Sequence, residues 1–405
     1  MPQNTILLLQ GPVGPFFDDL QSAFIEENIP NKRILFNPGD TLFSSQNKYT
    51  EKFKGNLEDW GNWIKNYFIE NKINFIVLYG SDRPIHSIAR KVAVQLNIKV
   101  LSLEEGYFRP GYVTIEEGGN NTSSPLAGKL PNKSFNSDPN LLGNSVQKSF
   151  YKSSFKNKCL YSLIYYLVRE LFSSSGQRKL FHKHMNLFNE AKFWAKNYIL
   201  WNLKRKKEIF LFQEISNYDY YIVALQMDSD MQSRFQSNGW KKLDLIKETI
   251  QSFARFSPKS SKLVFKVHPL ERGHYRHFEL IKSIASNIGV ASRIYVIQTG
   301  GISKWLKSAK GMITINSTAG FSAIYHGCPI LVLGNAIYDH RKFSYKYESE
   351  SDLNGFWEKY RVYNSTIEER ANYLNWIKSI SCVEGDYFIK DCRNLVAKEI
   401  ISRFK

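Results

Sequence analysis

The sequence is short of cysteine, of acidic residues and of long apolar runs, and each shortage excludes a class of protein. Its four cysteines, Cys159, Cys328, Cys382 and Cys392, show no metal-type pairing and suggest no secreted disulfide framework, so a reducing cytoplasm is expected. A bilayer span needs about 20 apolar residues, and the most lipophilic stretch, residues 159–168, is about half of that. Met1-Pro2-Gln3-Asn4 lacks a basic start and the apolar run 6–9 is far too short for a signal peptide, so no leader is expected. Repeats and low-complexity tracts are missing as well.

What is present is a globular composition, 43% hydrophobic and 15% aromatic against 23% charged. At 405 residues, two domains are expected, each able to bury its own core. Basic residues outnumber acidic ones by 55 to 37, a formal charge of +18. Such a field favours an anionic partner: nucleic acid, an anionic membrane or an anionic substrate.

The first third alternates short buried strands with helices. Strands are expected at 5–10, 32–36, 75–79 and 99–103, and helices at 16–27, 57–71 and 84–96. Asn37-Pro38-Gly39-Asp40 reads as a turn, and residues 118–137 as an irregular loop. From 149 to 214 the chain turns helical, aromatic and basic. Strands resume at 220–226, 262–267, 293–297, 311–316 and 330–333, with a helix around 240–256. The last fifty or so residues show helical patterns and no obvious sheet. The pattern predicts an α/β chain with parallel sheets covered on both faces and functional loops at the strands' carboxyl ends. The expected domains are an N-terminal Rossmann-like domain at 1–138, a helical insertion at 139–215, a C-terminal Rossmann-like domain at 216–350, and helices at 351–405 that pack back across the domains. Two such domains facing a cleft constitute the GT-B glycosyltransferase architecture.

The clearest motif is Lys266-Val267-His268-Pro269 at the end of an expected strand. An ammonium and an imidazole there, with Pro269 stiffening the exit, can bind and neutralise a phosphate. About fifty residues on, a strand leads through Asn316, Ser317, Thr318 and Gly320 into a helix start, where amide groups and the helix dipole favour an anion. The commoner use of Ser317 and Thr318 would be an ordinary N-cap. Both motifs end strands of one expected sheet, where a nucleotide would bind.

Two acidic pairs complete the set. Glu104 and Glu105, with Arg109 nearby, can supply a general acid or base held by an ion pair; a solvated acidic turn is the structural alternative. Asp228 and Asp230 follow the first strand of the second domain, where one carboxylate can attack an anomeric carbon and the other cap a helix. Asp228-Ser229-Asp230 is also the only D-x-D pattern. It reads as catalytic rather than metal-binding, because cationic side chains already serve the phosphate, and no metal or other cofactor is expected.

With these motifs assembled, the chain resembles the KpsS-type capsule polysaccharide proteins of Gram-negative bacteria. The resemblance runs through residues 8–17, 36–40, Tyr79-Gly80-Ser81-Asp82-Arg83-Pro84-Ile85-His86, Glu104 to Pro110, Gln226 with Asp230, Lys266 to Pro269 and Asn316 to Gly320. It implies a retaining β-Kdo transferase that takes Kdo (3-deoxy-D-manno-octulosonic acid) from CMP-Kdo and places it on a phosphatidylglycerol-type lipid. Carried onto these positions, Lys266, His268, Pro269, Asn316, Ser317, Thr318 and Gly320 would hold the nucleotide sugar. Asp230 would be the nucleophile and Glu105 the acid/base group, with Asp228 and Glu104 as open substitutes. Gly11, Gly14, Arg83, Glu104 and Arg109 fall on the acceptor side or in the cleft.

The resemblance also gives the basic, aromatic segment a use. Lys204, Arg205, Lys206 and Lys207 would meet the anionic inner face of the cytoplasmic membrane, making the protein cytoplasmic and peripheral. A packed helical insertion with a solvated basic face is the structural alternative. Implied partners are the nucleotide sugar, an anionic phospholipid acceptor, a partner Kdo transferase and the capsule export machinery. Rival readings are a non-catalytic export or scaffold protein and a transferase using another CMP- or UDP-sugar. Nucleic acid is not expected, since charge alone favours it and no recognised motif appears.

Overall fold

In the computed structural model, the described residues are 5–135, 148–180, 187–226, 237–268, 271, 277–358 and 365–404. The strands follow in chain order as β1 (Thr5–Leu8), β2 (Asn31–Leu35), β3 (Thr50–Lys52), β4 (Ile73–Tyr79), β5 (Lys99–Glu105), β6 (Tyr112–Glu117), β7 (Tyr220–Ala224), β8 (Lys262–Lys266), β9 (Ile294–Ile297), β10 (Gly311–Thr314), β11 (Ile330–Val332), β12 (Tyr345–Lys346) and β13 (Cys382–Glu384). The chain forms two compact units. The first comprises Met1–Pro125, Leu142–Leu187 and Ile377–Lys405, and the second Leu126–Leu141 and Phe188–Trp376. The mixed α/β character and the two Rossmann-like sheets of the GT-B expectation are both present.

The first unit holds a seven-stranded sheet in the order β13-β6-β5-β4-β1-β2-β3. Strands β1 to β5 pair in parallel, whereas β6 and β13 add antiparallel at one edge. The central strands read Ile6-Leu7-Leu8 and Ile76-Val77-Leu78 because helices bury both of their faces. On one face, Phe16, Leu20 and Phe24 of helix Phe16–Glu26 meet Val396 and Ile400 of helix Lys390–Ser402. On the other, Trp60 packs edge-on to Phe36 and Phe53 and donates its indole N–H to the Ile85 carbonyl at 2.7 Å.

Strands β3 and β6 were not expected from the sequence, and three further departures from the sequence reading belong to this unit. Asn37 does not merely make a turn: it caps the short helix Pro38–Leu42 by accepting from the Gly39 and Asp40 amides. Residues 121–123, inside the expected loop, form a 3-10 turn. The tail is not all helix, since β13 pairs with β6 through Cys382↔Thr114 and Glu384↔Tyr112.

The second unit holds a six-stranded sheet, β12-β11-β10-β7-β8-β9, parallel throughout. Its core gathers Tyr221, Ile250, Phe253, Phe265, Ile313 and Trp357. Trp357 donates to Ser252 Oγ at 2.8 Å, so its one polar side-chain atom is satisfied inside the core.

The basic, helical stretch is divided between the units. Helix Lys148–Phe172 belongs to the first, where Tyr165 donates to Asp40 at 2.8 Å, Ser154 to Asp386 at 2.6 Å, and Lys158 pairs with Glu105. Helix Leu187–Ile215 belongs almost wholly to the second. There the buried Glu208 accepts from the amides of Gln298 (2.8 Å) and Thr299 (2.6 Å). None of the helices among the described residues is long and apolar enough to cross a membrane.

Candidate functional site

In each unit the strand order reverses beside the first strand: between β1 and β4 in the first, between β7 and β10 in the second. Crevices at such reversals, beyond the carboxyl ends of parallel strands, are where ligands bind in open α/β sheets. Each reversal carries a cluster of polar side chains.

In the second unit, pairing aligns Ala224 with Thr314 on one side and with Lys266 on the other. Leu225-Gln226, Ile315-Asn316 and Val267-His268 therefore leave the sheet at one level. Gln226 and Asn316 close the reversal reciprocally: Gln226 Nε2 donates to Asn316 Oδ1 at 2.7 Å, and the Asn316 amide to Gln226 Oε1 at 3.3 Å. Lys266 is buried and His268 half-buried at the end of β8.

The turn after Asn316 is held from both ends. Ser317 Oγ accepts from the Ala319 amide at 3.2 Å, and Thr318 precedes helix Ala319–His326 without capping it through its side chain. Tyr338 donates to the Ser317 carbonyl at 2.5 Å. Its ring lies where a side chain at Gly320 would be, 2.0 Å from an added Cβ, so only glycine fits there. Asp228, Asp230 and Pro269 lie outside the described residues.

In the first unit, Gln10, Gly80 and Glu104 emerge together, the Gly80 amide donating to Leu103 O at 2.8 Å and that of Tyr79 to Gln10 O at 3.2 Å. Arg83 reaches Gln10 Oε1 at 2.9 Å and the Gly11 carbonyl at 3.2 Å. His86 fastens both strand ends, its Nδ1 donating to the Gly80 carbonyl at 2.9 Å and its Nε2 accepting from the Gln10 amide at 3.3 Å. Burial, with Arg83 nearby, pushes this imidazole down to about 3, so it is neutral and structural. Gly11 lies over the Phe17 ring, and Gly14, at φ +108°, against Tyr161.

The two glutamates differ. Glu105 is paired with Arg109 Nη1 at 2.5 Å and with Lys158. Glu104 is pushed up from 4.5 to about 7, first by burial and then by the charge of Glu105, while the Glu105 amide, Arg83 and Arg109 pull it back. A carboxyl that titrates near neutrality can both take and give a proton.

Sequence reasoning missed the supports. Asp40 is a buried acceptor rather than a turn residue, receiving Tyr165, the Phe36 amide (2.9 Å) and Asn37 (3.0 Å), and burial pushes its carboxyl up. Gln10, Tyr165 and Tyr338 were readable only as core or loop residues. Of the basic run on helix Leu187–Ile215, Arg205, Lys206 and Lys207 are exposed, whereas Lys204 is half-buried with Nζ 5.2 Å from the Phe278 ring centroid. Among the described residues, no group of three or more His, Cys, Asp or Glu could hold a metal ion.

Fold and site together define a protein of two doubly wound α/β units, each with a polar cluster at its strand reversal. Comparison with known proteins makes the assignment specific. The chain belongs to the capsule polysaccharide biosynthesis protein family, whose model matches residues 74–372. It is 32% identical over 361 residues to the capsule polysaccharide export protein KpsS of Escherichia coli, covering 87% of this chain and 89% of that one. It is 29% identical to the capsule polysaccharide modification protein LipB of Neisseria meningitidis, covering 83% and 81% of the two chains. Among solved structures, KpsC of Thermosulfurimonas dismutans, a β-Kdo 2,7 transferase, aligns with 91% of this chain and 90% of its own at a TM-score of 0.42 and 11% identity.

Proposed function

We propose that this capsule polysaccharide biosynthesis protein is a glycosyltransferase that moves Kdo from CMP-Kdo to a phosphatidylglycerol-type lipid with retention, beginning the linker of a lipid-anchored capsule. The observation that carries the reading is the common level at which Gln226, His268 and Asn316 leave the second unit's sheet, with Lys266 and a helix start alongside. Cations and amides so gathered suit a phosphate that gains charge as its bond to the sugar breaks.

In this reading a carboxylate, Asp230 or Asp228, attacks the anomeric carbon and CMP leaves with the bonding pair. Lys266, His268 and the amides ahead of helix Ala319–His326 stabilise the charge collecting on CMP. The lipid hydroxyl then attacks the same carbon and the carboxylate leaves, so two inversions give retention. Glu104 takes the hydroxyl proton, since Glu105 is already engaged by Arg109 and Lys158. Arg83 attracts the acceptor's phosphate. The reaction draws on cationic side chains and calls for no metal. The basic run on helix Leu187–Ile215 would keep the protein at an anionic inner-membrane surface, beside a partner Kdo transferase and the export machinery.

The test incubates the protein with CMP-Kdo generated in place and a lysophosphatidylglycerol analogue, beside Asp230→Ala and His268→Ala. A single-Kdo mass increase by the wild type, lost in both variants, is expected. Absence of both transfer and CMP binding would favour a non-catalytic role in polysaccharide export, the process for which the Escherichia coli relative is named. CMP binding without transfer would point to another sugar or acceptor.

A further inference from the structure

A surface helix ordinarily turns its apolar side inward and its polar side to water. Helix Lys148–Phe172 of the first unit is apolar on both. Its inner side is fastened by Tyr161, which meets Phe43 edge-on, by Tyr165 on Asp40, and by the buried Arg169. Its outer side, at positions spaced by three and four, carries Leu160, Leu163, Ile164, Leu167 and Leu171. These are exposed, Leu163 by 65% and Leu171 by 59%. Single exposed leucines are ordinary, but an unbroken stripe of them over about 16 Å marks an interaction surface.

We infer that this stripe inserts into the surface layer of an anionic phospholipid bilayer, with the helix lying flat. Charge selects this occupant. Lys156 continues the same face, and exposed Arg178 and Lys179 follow on the next helix, Ser175–Lys179. The one carboxylate of the helix, Glu170, is ion-paired with Arg169. In a symmetric pair of copies these cations would meet cations, whereas headgroup phosphates supply the opposite charge. The inner side is anchored to the first unit, so the helix presents one face to lipid, as interfacial helices do, rather than crossing it. This surface is separate from the basic run of the second unit and needs the proposed transfer reaction only for its biological purpose.

The test uses full-length protein and vesicles of phosphatidylglycerol mixed with phosphatidylcholine. Leu163→Ser with Leu171→Ser should lower partition about a hundredfold, equally at low and high salt, because apolar transfer rather than charge is lost. The fluorescence that Leu167→Trp adds should be quenched by lipids brominated on their acyl chains. Unchanged partition of the double variant, or no quenching of that added fluorescence on vesicle-bound protein, overturns the proposal. So does a wild-type dimer that the double variant converts to monomer with vesicle binding intact, which would make the stripe a contact between copies. Transfer to a short-chain monomeric acceptor should be equal in wild type and double variant. If neither transfers while partition behaves as expected, the transferase reading falls and the membrane surface stands.

Discussion

Arg83 donates to Gln10 at 2.9 Å across 73 residues of sequence, joining the two strand ends between which the first unit's order reverses. Gln10 is itself oriented, its amide nitrogen lying 3.3 Å from Asp40 and 3.1 Å from the Tyr165 hydroxyl. Replacing Gln10 by Ala should leave Arg83 present but unaimed. In the proposed reaction, the KM for the lipid acceptor should rise about tenfold with kcat little changed, a loss of binding common to ground and transition states. Arg83→Ala should also shift the pH profile upward, because Arg83 holds the Glu104 carboxyl down. Acceptor titrations at several pH values check both.

Glu104 and Glu105, adjacent in sequence, should part in their pH behaviour. As the proton acceptor of the proposed reaction, Glu104 predicts transfer that rises with pH through about 7. Glu104→Gln should lower turnover by roughly 10²–10⁴, and Glu105→Gln by less. The stability effect runs in the opposite direction. A folded-state pKa of about 7 against 4.5 means that the folded protein holds its proton longer, so stability falls as pH rises from 4.5 to 7. Glu104→Gln should therefore melt higher than wild type at pH 8 and alike at pH 4, in thermal denaturation.

Tyr338 and Gly320 should act as one unit in the turn after Asn316, which the proposed function assigns to the phosphate. Gly320→Ala drives a methyl into the Tyr338 ring and should cost about 1–3 kcal/mol. Tyr338→Phe loses only the hydrogen bond to the Ser317 carbonyl, about 1 kcal/mol, yet should weaken CMP binding severalfold by loosening the turn. Urea denaturation and calorimetric CMP titration separate the two effects. Unaltered CMP affinity in both variants would rule the turn out of nucleotide binding.

The basic run should bind membranes by charge. Serine at Lys204, Arg205, Lys206 and Lys207 should weaken binding to anionic vesicles about a hundredfold at low salt, at about 1 kcal/mol per cation. Most of it should come from the three exposed residues, since Lys204 lies over Phe278. The difference should shrink towards nothing at 1 M salt.

The alternation of buried strands and helices was legible in the sequence because Ile6-Leu7-Leu8 or Leu263-Val264-Phe265 can serve little but a doubly covered strand. β3 and β13 were not, since Thr50-Glu51-Lys52 and Cys382-Val383-Glu384 are three-residue strands at the sheet's edges with no periodicity to read. Lys266, His268 and Asn316 could be picked out because they close or follow strongly apolar strands. The supports could not: Gln10 finds Tyr165 from 155 residues away, and nothing local to either residue announces it. Likewise, Asp40 looks like a turn residue until the surroundings that bury it are known.

The β13–β6 pairing has a consequence for biosynthesis. The first unit takes its edge strand and helix Lys390–Ser402 from residues that the ribosome makes after the whole second unit. The unit begun first is therefore finished last. Until residues 377–404 emerge, Val113 and Ile115 await the covering helix and β6 offers an open strand edge, the kind of template that invites mispairing. Nascent chains stalled just short of that point should be the ones that chaperones hold longest.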